Sequence, residues 1–384
     1  MIDMYLSFFS YSLILLIVFL IFYINKIMVK QVKPKIFPGE VDLQMEEVTS
    51  FLKENGGSHA SHLIYLEDKE LYWAQEKKAL IVYRRIANKL IVLGDPIGAE
   101  SYMQAAIKEF CQYSESKRLQ PIFYQINPSF MHYYHDLGYR FIKLGEEGVA
   151  NLVSFSLIGK KNAKLRTSFN KFARLSYSFT VQKPPYSKEL VKEMKSISDS
   201  WLGSQKEKSF SVGSFQEEYI SRFPVALLYD SDGKMHAFAT LATDYKKTLS
   251  IDLMRKDLDS LPGTMDVLFI HIFKWARDNG YLHCSLGMSP LANVGNNRHA
   301  FLSEKLLRLV FEYGNSFYNF KGLNMFKNKF TNIWEPKYLV YNSFWPVTLL
   351  QILILINSIP EPRLTVVERM KYYFHKALVS EKDI

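Results

Sequence analysis

The sequence is poor in the residues that build covalent or metal-bound scaffolds. Only two cysteines, Cys111 and Cys284, occur in 384 residues, which excludes a disulfide framework and a four-cysteine metal site and indicates a reducing compartment. The chain also lacks a Gly-x-x-x-x-Gly-Lys-Ser/Thr phosphate loop, a His-Glu-x-x-His zinc motif and a Gly-x-Ser-x-Gly nucleophile elbow. We therefore expect no metal site and do not favour covalent cysteine chemistry.

Acidic residues are also in short supply. The 38 Asp and Glu residues are outnumbered by 48 Lys and Arg residues, so the formal net charge is +10. Such an excess favours an anionic partner, either a nucleic acid or a membrane surface. The hydrophobic fraction of 48% and the aromatic fraction of 15% exclude a disordered chain, and the length predicts two or three structural units.

The N-terminus carries a long uncharged segment. Met4–Ile24 contains no charged residue and is long enough to cross a hydrocarbon core of about 30 Å as a helix. Four lysines follow it, at positions 26, 30, 33 and 35, which places the rest of the chain on the cytosolic side. We predict a transmembrane helix with a basic flank over residues 1–30 and a linker over residues 31–40. A cleaved signal peptide is the alternative.

The rest of the chain mixes helix and strand patterns, which predicts an α/β (α+β) fold. Residues 41–150 and 151–344 form two predicted units, with mainly antiparallel sheets. An Asp-Gly turn between Val225–Tyr229 and Met235–Ala242 predicts a hairpin. Thr264–Asn279 has the periodicity of a helix, with Thr264 as its expected cap.

Residues 345–384 form an apolar and amphipathic tail. Its apolar run at Val347–Ile356 is too short to span a membrane, which needs about 20 residues. Leu364–Leu378 combines basic and apolar residues. This segment is either an interfacial amphipathic helix or a helix packed on the preceding domain.

A basic stretch holds most of the excess positive charge. Residues 157–208 contain twelve basic and four acidic residues. Leu165, Phe169 and Phe172 have the spacing of one helix face and are expected to face a core. The basic residues expected to project outward are Lys161, Lys164, Lys171 and Arg174. This surface suits contacts with phosphates, and an ordinary solvated face is the alternative.

Three further groups of charged residues are candidates for chemistry. Asp252 and Arg255 lie on a predicted strand, and a bend after Leu253 is needed to bring them to one pocket. A carboxylate there suits an ammonium group and an arginine suits a phosphate or ester oxygen, whereas a structural ion pair is the alternative. Lys143-Leu-Gly-Glu146-Glu147 lies at the junction of the two units, where a carboxylate could bind an amine or act as a base. The alternative for this motif is a surface loop.

Aromatic residues alternate with lysines, including Lys327, between residues 317 and 338. Aromatic rings stack on bases or line a ligand tunnel, and lysines neutralise phosphate. The alternative is a core strand with exposed lysines.

Taken together, these motifs resemble one known family. Over about residues 38–341 the chain is similar to the cytosolic synthase domain of the phosphatidylglycerol lysyltransferase family, the multiple peptide resistance factors. The motifs that carry the resemblance, in order, are Ser61-His-Leu, Gly94-Asp-Pro-Ile-Gly, Lys143-Leu-Gly-Glu-Glu, Lys206-Glu-Lys-Ser-Phe-Ser-Val-Gly-Ser-Phe, Ile251-Asp-Leu-Met-Arg, Gly263-Thr-Met-Asp, Leu286-Gly-Met-Ser-Pro-Leu, Phe317-Tyr-Asn-Phe-Lys-Gly-Leu and Trp334-Glu-Pro-Lys-Tyr.

The resemblance implies tandem N-acetyltransferase-like domains, the second of them catalytic. It also implies transfer of an amino acid, with lysine expected, from charged tRNA to the glycerol hydroxyl of phosphatidylglycerol. Such a reaction lowers the negative charge of a membrane and favours resistance to cationic antimicrobial peptides. The aminoacyl-tRNA is a co-substrate, and no cofactor or metal is implied. The positions that match the family's functional motifs are Lys143, Glu146, Glu207, Asp252, Arg255 and Lys327.

The expected roles follow from the charges of these residues. Asp252, with Glu207 as a second candidate, would bind the substrate amine. Arg255 and Lys327 would bind phosphate or the developing oxyanion. Glu146 would position the attacking hydroxyl or assist its deprotonation.

The chain departs from the family pattern in two respects. Full-length members carry a many-helix flippase domain, whereas a single membrane helix is expected here, so flipping of the product is not supported. Ser214 stands where the family often has a basic residue. The expected location is the cell membrane, single-pass, with cytosolic catalytic domains. Two alternatives stay open: aminoacylation of a peptidoglycan precursor, and a non-catalytic membrane-tethered protein that binds tRNA or lipid.

Overall fold

The computed structural model describes residues 38–314 and 319–358, which form a mixed α/β protein, as predicted. The strands in these ranges are β1 (Glu70–Ala74), β2 (Ala79–Ile86), β3 (Lys89–Leu93), β4 (Ile97–Gly98), β5 (Gln120–Ile126), β6 (Arg140–Asn151), β7 (Ser178–Gln182), β8 (Val225–Tyr229), β9 (Met235–Thr243), β10 (Thr248–Lys256), β11 (His283–Pro290) and β12 (Ile333–Tyr341). The helices in the same ranges are α1 (Pro38–Asn55), α2 (Met103–Ser116), α3 (Met131–His135), α4 (Ala163–Arg174), α5 (Lys188–Leu202), α6 (Glu217–Ile220), α7 (Thr264–Asp278), α8 (Leu302–Tyr313), α9 (Phe320–Asn328) and α10 (Trp345–Asn357).

Two sequence predictions fall on residues that these ranges leave out. The predicted membrane helix at residues 4–24 and the amphipathic segment at residues 364–378 lie outside the described residues. Within the described ranges, no helix has both the length and the apolar character that a membrane crossing requires. The short apolar run at residues 347–356 lies in α10, which packs into the core through Ile352 and Leu355.

One twisted sheet runs through both predicted units. Its strand order is β1-β2-β3-β5-β12-β6-β11-β10-β9-β8-β7, and β4 pairs with β2. Strand β6 pairs with β12 on one side and β11 on the other, and β12 also pairs with β5. The late strand β12 is therefore inserted among strands of the first half. The boundary expected at residues 150 and 151 coincides with the end of β6, and the division into two domains stays a prediction.

The two halves of the sheet repeat one arrangement. In the first half, the antiparallel strands β2 and β3 are followed by α2 and then by β5, which is parallel to β3. In the second half, the antiparallel strands β9 and β10 are followed by α7 and then by β11, which is parallel to β10. Other pairings in the sheet are antiparallel, which agrees with the prediction of mainly antiparallel sheets.

The hairpin and the long helix of the second half show how local sequence sets these elements. Asp230 Oδ1 accepts hydrogen bonds from the backbone N–H groups of Asp232 and Lys234, at 3.0 and 2.9 Å, and closes the predicted turn between β8 and β9. Helix α7 is present as predicted, but the expected cap is wrong. The capping position is Gly263 at φ +97°, and the Thr264 hydroxyl donates to the Leu261 carbonyl instead.

A segment of the first half lies against strands of the second half. Residues 58–66, here called the bridging segment, follow α1 and include the 3₁₀ turn Ser61–Leu66. The Tyr65 hydroxyl lies 3.2 Å from the Tyr245 hydroxyl, and the Gly57 N–H donates to the Asp244 carbonyl just before the segment begins. The bridging segment can therefore bring side chains of the first half into a site formed by strands of the second.

Candidate functional site

The bend predicted after Leu253 exists as a bulge in β10. The pairing with β9 shifts between Ile251 and Met254, so Asp252 and Leu253 lie opposite the single residue Thr240. The Leu253 N–H donates to the Thr240 hydroxyl at 3.0 Å instead of continuing the ladder. An extra residue in one strand reverses the alternation of side chains, which lets Asp252 and Arg255 contribute to one charged network.

Asp252 is a buried carboxylate surrounded by hydrogen-bond donors. The Tyr219 hydroxyl donates to it at 2.6 Å and the Gly213 N–H at 3.2 Å, while His62 Nε2 lies 3.6 Å away. Burial alone would raise the pKa of Asp252, but His62 and these donors lower it below its ordinary value. A Cβ at Gly213 would lie 1.8 Å from the carboxylate, so a glycine is required there. The carboxylate is thus held ionised and suits an ammonium group.

Arg255 and Glu207 form an ion pair beside Asp252. Arg255 Nη2 lies 3.1 Å from Glu207 Oε2, and Glu207 also accepts the Phe215 N–H. Burial lowers the pKa of Arg255, and the nearby carboxylates of Glu207 and Asp252 oppose this shift. Its Nε is a buried donor without a hydrogen-bond partner in residues 38–314 and 319–358. Glu207 is therefore already engaged by a cation, whereas the guanidinium retains a donor for an incoming oxygen.

Lys143 and Glu146 form a second charged cluster. Lys143 Nζ lies 2.5 Å from Glu146 Oε1 and also donates to the Asn293 carbonyl, while Asn293 Nδ2 donates to Glu146 Oε2 at 2.6 Å. Both residues belong to the central strand β6, so the alternative of a surface loop is wrong. Glu146 is occupied by two donors in this arrangement.

Glu147, the next residue, forms a separate buried network. Its carboxylate lies 2.7 Å from Lys337 Nζ, 3.2 Å from His59 Nδ1 and 2.5 Å from the Ser285 hydroxyl. Burial would raise the pKa of Glu147, but His59 and Lys337 lower it below its ordinary value. Because neighbouring residues of a strand point to opposite faces, Glu146 and Glu147 serve opposite sides of β6.

His59 lines a cavity, and its second ring nitrogen is buried. Burial lowers the pKa of His59 to about 4, so the imidazole is neutral at neutral pH. With Nδ1 donating to the Glu147 carboxylate, Nε2 is an acceptor, and it is buried without a hydrogen-bond partner in the part of the chain that the structure describes. His59 and Glu147 line a cavity of about 380 Å³ together with Asp95, Gln125 and Lys337. A neutral imidazole oriented by a carboxylate can accept a proton from a bound hydroxyl.

Lys327 is a buried cation at the end of α9. Its side chain is almost fully buried, and Nζ donates to the carbonyls of Gly287 and Met288 at 3.0 and 2.9 Å. Burial lowers the pKa of Lys327 from 10.5 to about 7, although the negative charge of Glu147 acts to raise it. The alternative of a core strand with exposed lysines is wrong, because residues 320–328 form a helix and Lys327 points inward.

The basic residues predicted to project outward, on α4 and just before it, are exposed. Leu165 and Phe172 are buried in the core, and Phe169 packs against it, as the periodicity predicted. The exposed basic residues of this surface are Lys161, Lys164, Lys171 and Arg174.

The bridging segment connects the separate networks. It contributes His59 to Glu147 and His62 to Asp252, so the two charged networks are linked through one short stretch of chain. Sequence reasoning assigned no role to His59, His62 or Glu147. Two of them lie inside quoted motifs, Ser61-His-Leu and Lys143-Leu-Gly-Glu-Glu, and strand alternation would have separated Glu147 from Glu146. In residues 38–314 and 319–358, no group of three or more His, Cys, Asp or Glu side chains is arranged to hold a metal ion.

Known proteins match both the sequence and the fold. Residues 49–341 match the family model described as phosphatidylglycerol lysyltransferase, C-terminal. The solved structure of L-PGS from Bacillus licheniformis aligns with a TM-score of 0.75 at 40% identity, covering 86% of this chain and 100% of that one. Relatives named phosphatidylglycerol lysyltransferase, from Bacillus subtilis strain 168 and Staphylococcus aureus strain COL, are 41% and 39% identical over 82% and 79% of this chain.

The structural match first defines a class: this is a mixed α/β protein with the fold of L-PGS. The sequence match then defines the family, and the chain belongs to the phosphatidylglycerol lysyltransferase family. The resemblance read from the motifs is confirmed. The chain spans 37% of the length of these curated relatives, in the part covered by the C-terminal family model.

Proposed function

We propose that this protein transfers an amino acid from charged tRNA to the glycerol hydroxyl of phosphatidylglycerol, and that this amino acid is lysine. The observation that carries the proposal is the buried, ionised Asp252 beside the unpartnered donor of Arg255, in a chain that belongs to the lysyltransferase family. A carboxylate held ionised binds the ammonium group of an aminoacyl ester. The neighbouring guanidinium donates to the ester oxygen as negative charge develops on it.

The reaction is a transesterification that needs no nucleotide. The glycerol oxygen forms a bond to the aminoacyl carbon, the bond to the terminal ribose oxygen of the tRNA breaks, and one proton passes from the glycerol hydroxyl to the ribose. We assign the proton acceptor to His59, whose side chain lines the cavity and whose Nε2 is a buried acceptor without a hydrogen-bond partner among the described residues. Lys327 supplies a second cation for the developing charge, and its pKa of about 7 suits proton exchange near neutral pH.

The other expected site residues take supporting roles in this proposal. Glu146 is bound by Lys143 and Asn293 on the face of β6 opposite Glu147, so we assign it to positioning Lys143 rather than to proton transfer. Glu207 similarly orients Arg255. Lys143 is proposed as a phosphate contact. The exposed basic surface of α4 is proposed to bind the tRNA backbone, where each phosphate contact adds salt dependence.

We also infer the wider organisation of the protein. The repeated arrangement of antiparallel strands, helix and parallel strand supports tandem N-acetyltransferase-like units. The uncharged run and the following lysines of the N-terminus support a single-pass anchor in the cell membrane with the catalytic part in the cytosol. Aminoacyl-tRNA is the co-substrate, and no cofactor enters the proposed chemistry.

Kinetics of an Asp252→Asn variant test the proposal. We expect the KM for lysyl-tRNA to rise about tenfold or more, because an amide replaces the charged partner of the ammonium group. Asp232→Asn is the matched control, since Asp232 lies exposed in the turn between β8 and β9. An Asp252→Asn protein with unchanged KM and kcat for transfer to phosphatidylglycerol would contradict the assignment. Transfer to a peptidoglycan precursor in place of the lipid would contradict the proposed acceptor.

A further inference from the structure

Helix α8 turns its apolar face outward. The exposed apolar residues of α8, here called the α8 stripe, are Leu302, Leu306, Leu309, Val310 and Tyr313, which range from 37% to 75% exposed. Their spacing of four, three, one and three residues places them on one side of a helix. Phe301, directly before the helix, is 75% exposed as well. A surface helix of a globular protein normally buries such a face, and contiguous exposed apolar surface marks an interaction site.

The helix is fixed to the protein by its opposite side. Leu307 is buried in the core, and Glu304 Oε1 accepts the backbone N–H of Lys143 at 3.2 Å. The ring of Phe311 lies 6.3 Å from that of Phe320 in α9. The α8 stripe is therefore the outer face of an anchored helix, next to the strand that carries Lys143 and Glu146.

The charges around the stripe favour an anionic partner. Lys305 and Arg308 are exposed and, at helical spacing, border the stripe on one side. Glu312, on the same border, is paired with Arg308 at 2.8 Å, so the border as a whole is positive. Aromatic residues close both ends of the stripe, where rings suit the boundary between headgroups and acyl chains. An apolar face with a basic border and aromatic ends is the pattern of a helix that lies in a membrane interface.

We propose that the α8 stripe docks the protein on the surface of an anionic lipid bilayer. The inference rests on the proposed function, in which the acceptor is a lipid, and adds the surface that holds the folded part of the chain against that lipid. Lys305 and Arg308 contact the headgroup phosphates, and the leucines of the stripe enter the boundary of the acyl chains. Because Glu304 contacts Lys143, docking brings the sheet that carries the site to the membrane surface.

Site-directed fluorescence in the full chain tests docking directly. Cys111 and Cys284 are buried, so a fluorophore can be attached selectively at Leu309→Cys or, as the control, at Asp232→Cys. In phosphatidylglycerol vesicles that contain lipids with a spin label on the acyl chain, we expect the label at position 309 to be quenched several-fold more than the control. Equal quenching at the two positions would overturn the proposal. A label at position 309 that responds to protein concentration without lipid would also overturn it, in favour of a second copy of the chain.

A charge variant links docking to transfer. Leu306→Glu combined with Leu309→Glu should lower transfer to phosphatidylglycerol in vesicles by about tenfold or more, because each carboxylate must be removed from water to dock. Transfer to a short-chain, monomeric phosphatidylglycerol should not change, since the site itself is intact. Val153→Glu, at another exposed apolar residue, is the matched control. Equal loss with both lipids would overturn the docking role. If the unaltered protein acylates neither lipid, the proposed function fails, and the quenching result still decides docking.

Discussion

Replacing Lys327 with methionine should stabilise the protein while it inactivates transfer. Lys327 is a buried ammonium group whose hydrogen-bond partners in the structure are two neutral carbonyls, those of Gly287 and Met288. Methionine has a similar length and no charge, so the substitution removes the cost of burying a cation. The same substitution removes a cation that the proposed mechanism uses.

The size of the effect follows from the pKa. Burial lowers the pKa of Lys327 from 10.5 to about 7. At about 1.4 kcal/mol per unit of pKa, the ammonium form costs the folded state about 5 kcal/mol at pH 7 and below. The two carbonyls lose their hydrogen-bond donor in the variant, which offsets the gain in stability by about 1 kcal/mol per bond. We therefore expect Lys327→Met to raise the free energy of unfolding by about 3 kcal/mol at pH 7.

The pH dependence identifies the cause. Between pH 7 and 10.5 the unfolded chain holds more protons at Lys327 than the folded chain, so the stability of the unaltered protein rises with pH across this window. The advantage of the methionine variant should therefore shrink from pH 7 to pH 9. Denaturant unfolding at both pH values measures it, with Lys329→Met, at an exposed surface ion pair, as the control. A methionine variant that is less stable than the unaltered protein at pH 7, or that gains the same stability at both pH values, would show that the buried ammonium group does not destabilise the fold.

Three further predictions concern the other clusters. Glu147→Gln removes the nearer carboxylate from the buried cation Lys337 and leaves the half-exposed Glu335 at 3.6 Å, so thermal or denaturant unfolding should show a loss of about 3 kcal/mol; an unchanged midpoint would contradict the buried pair. His59→Gln should lower kcat about 100-fold or more with little change in KM for the tRNA, and a full kcat would remove His59 as proton acceptor. Lys164→Ala with Lys171→Ala should weaken tRNA binding and reduce the slope of log K against log salt by about 0.7–0.9 per lysine, whereas an unchanged slope would exclude these contacts.

Local patterns predicted the elements of the second half with little error. The Asp-Gly turn identified the hairpin of β8 and β9, because local residues alone stabilise it. The Asp230 side chain accepts backbone hydrogen bonds within the turn, and Gly233 adopts the positive φ that the turn needs. The periodicity of residues 264–279 identified α7, and Leu268 and Ile272, one helical turn apart, lie on its buried face. The bend after Leu253 was also predictable. Asp252 and Arg255 are three residues apart and would point to opposite faces of a regular strand, so they can meet only if the strand is irregular. The prediction of Thr264 as the cap was wrong, because the tight turn before the helix needs the positive φ of Gly263.

Long-range pairing was beyond reach of these patterns. Nothing local indicates that residues 333–341 insert between β5 and β6, since that register depends on strands almost two hundred residues earlier. For the same reason the sequence could not show that Lys337 meets Glu147, or that the bridging segment carries His59 and His62 to strands of the second half. Burial of Lys327 depends on a carbonyl pair in β11, which its own helix does not reveal.

Transfer of lysine from charged tRNA to phosphatidylglycerol can be tested by identifying the product of a reconstituted reaction. The full chain is incubated with tRNA charged with isotope-labelled lysine and with phosphatidylglycerol vesicles, and the lipid fraction is examined by mass spectrometry. We expect labelled lysine in ester linkage to phosphatidylglycerol, in amounts that fall sharply in the Asp252→Asn variant. Label recovered only as free lysine or uncleaved tRNA ester, with phosphatidylglycerol unchanged, would contradict the proposed transfer.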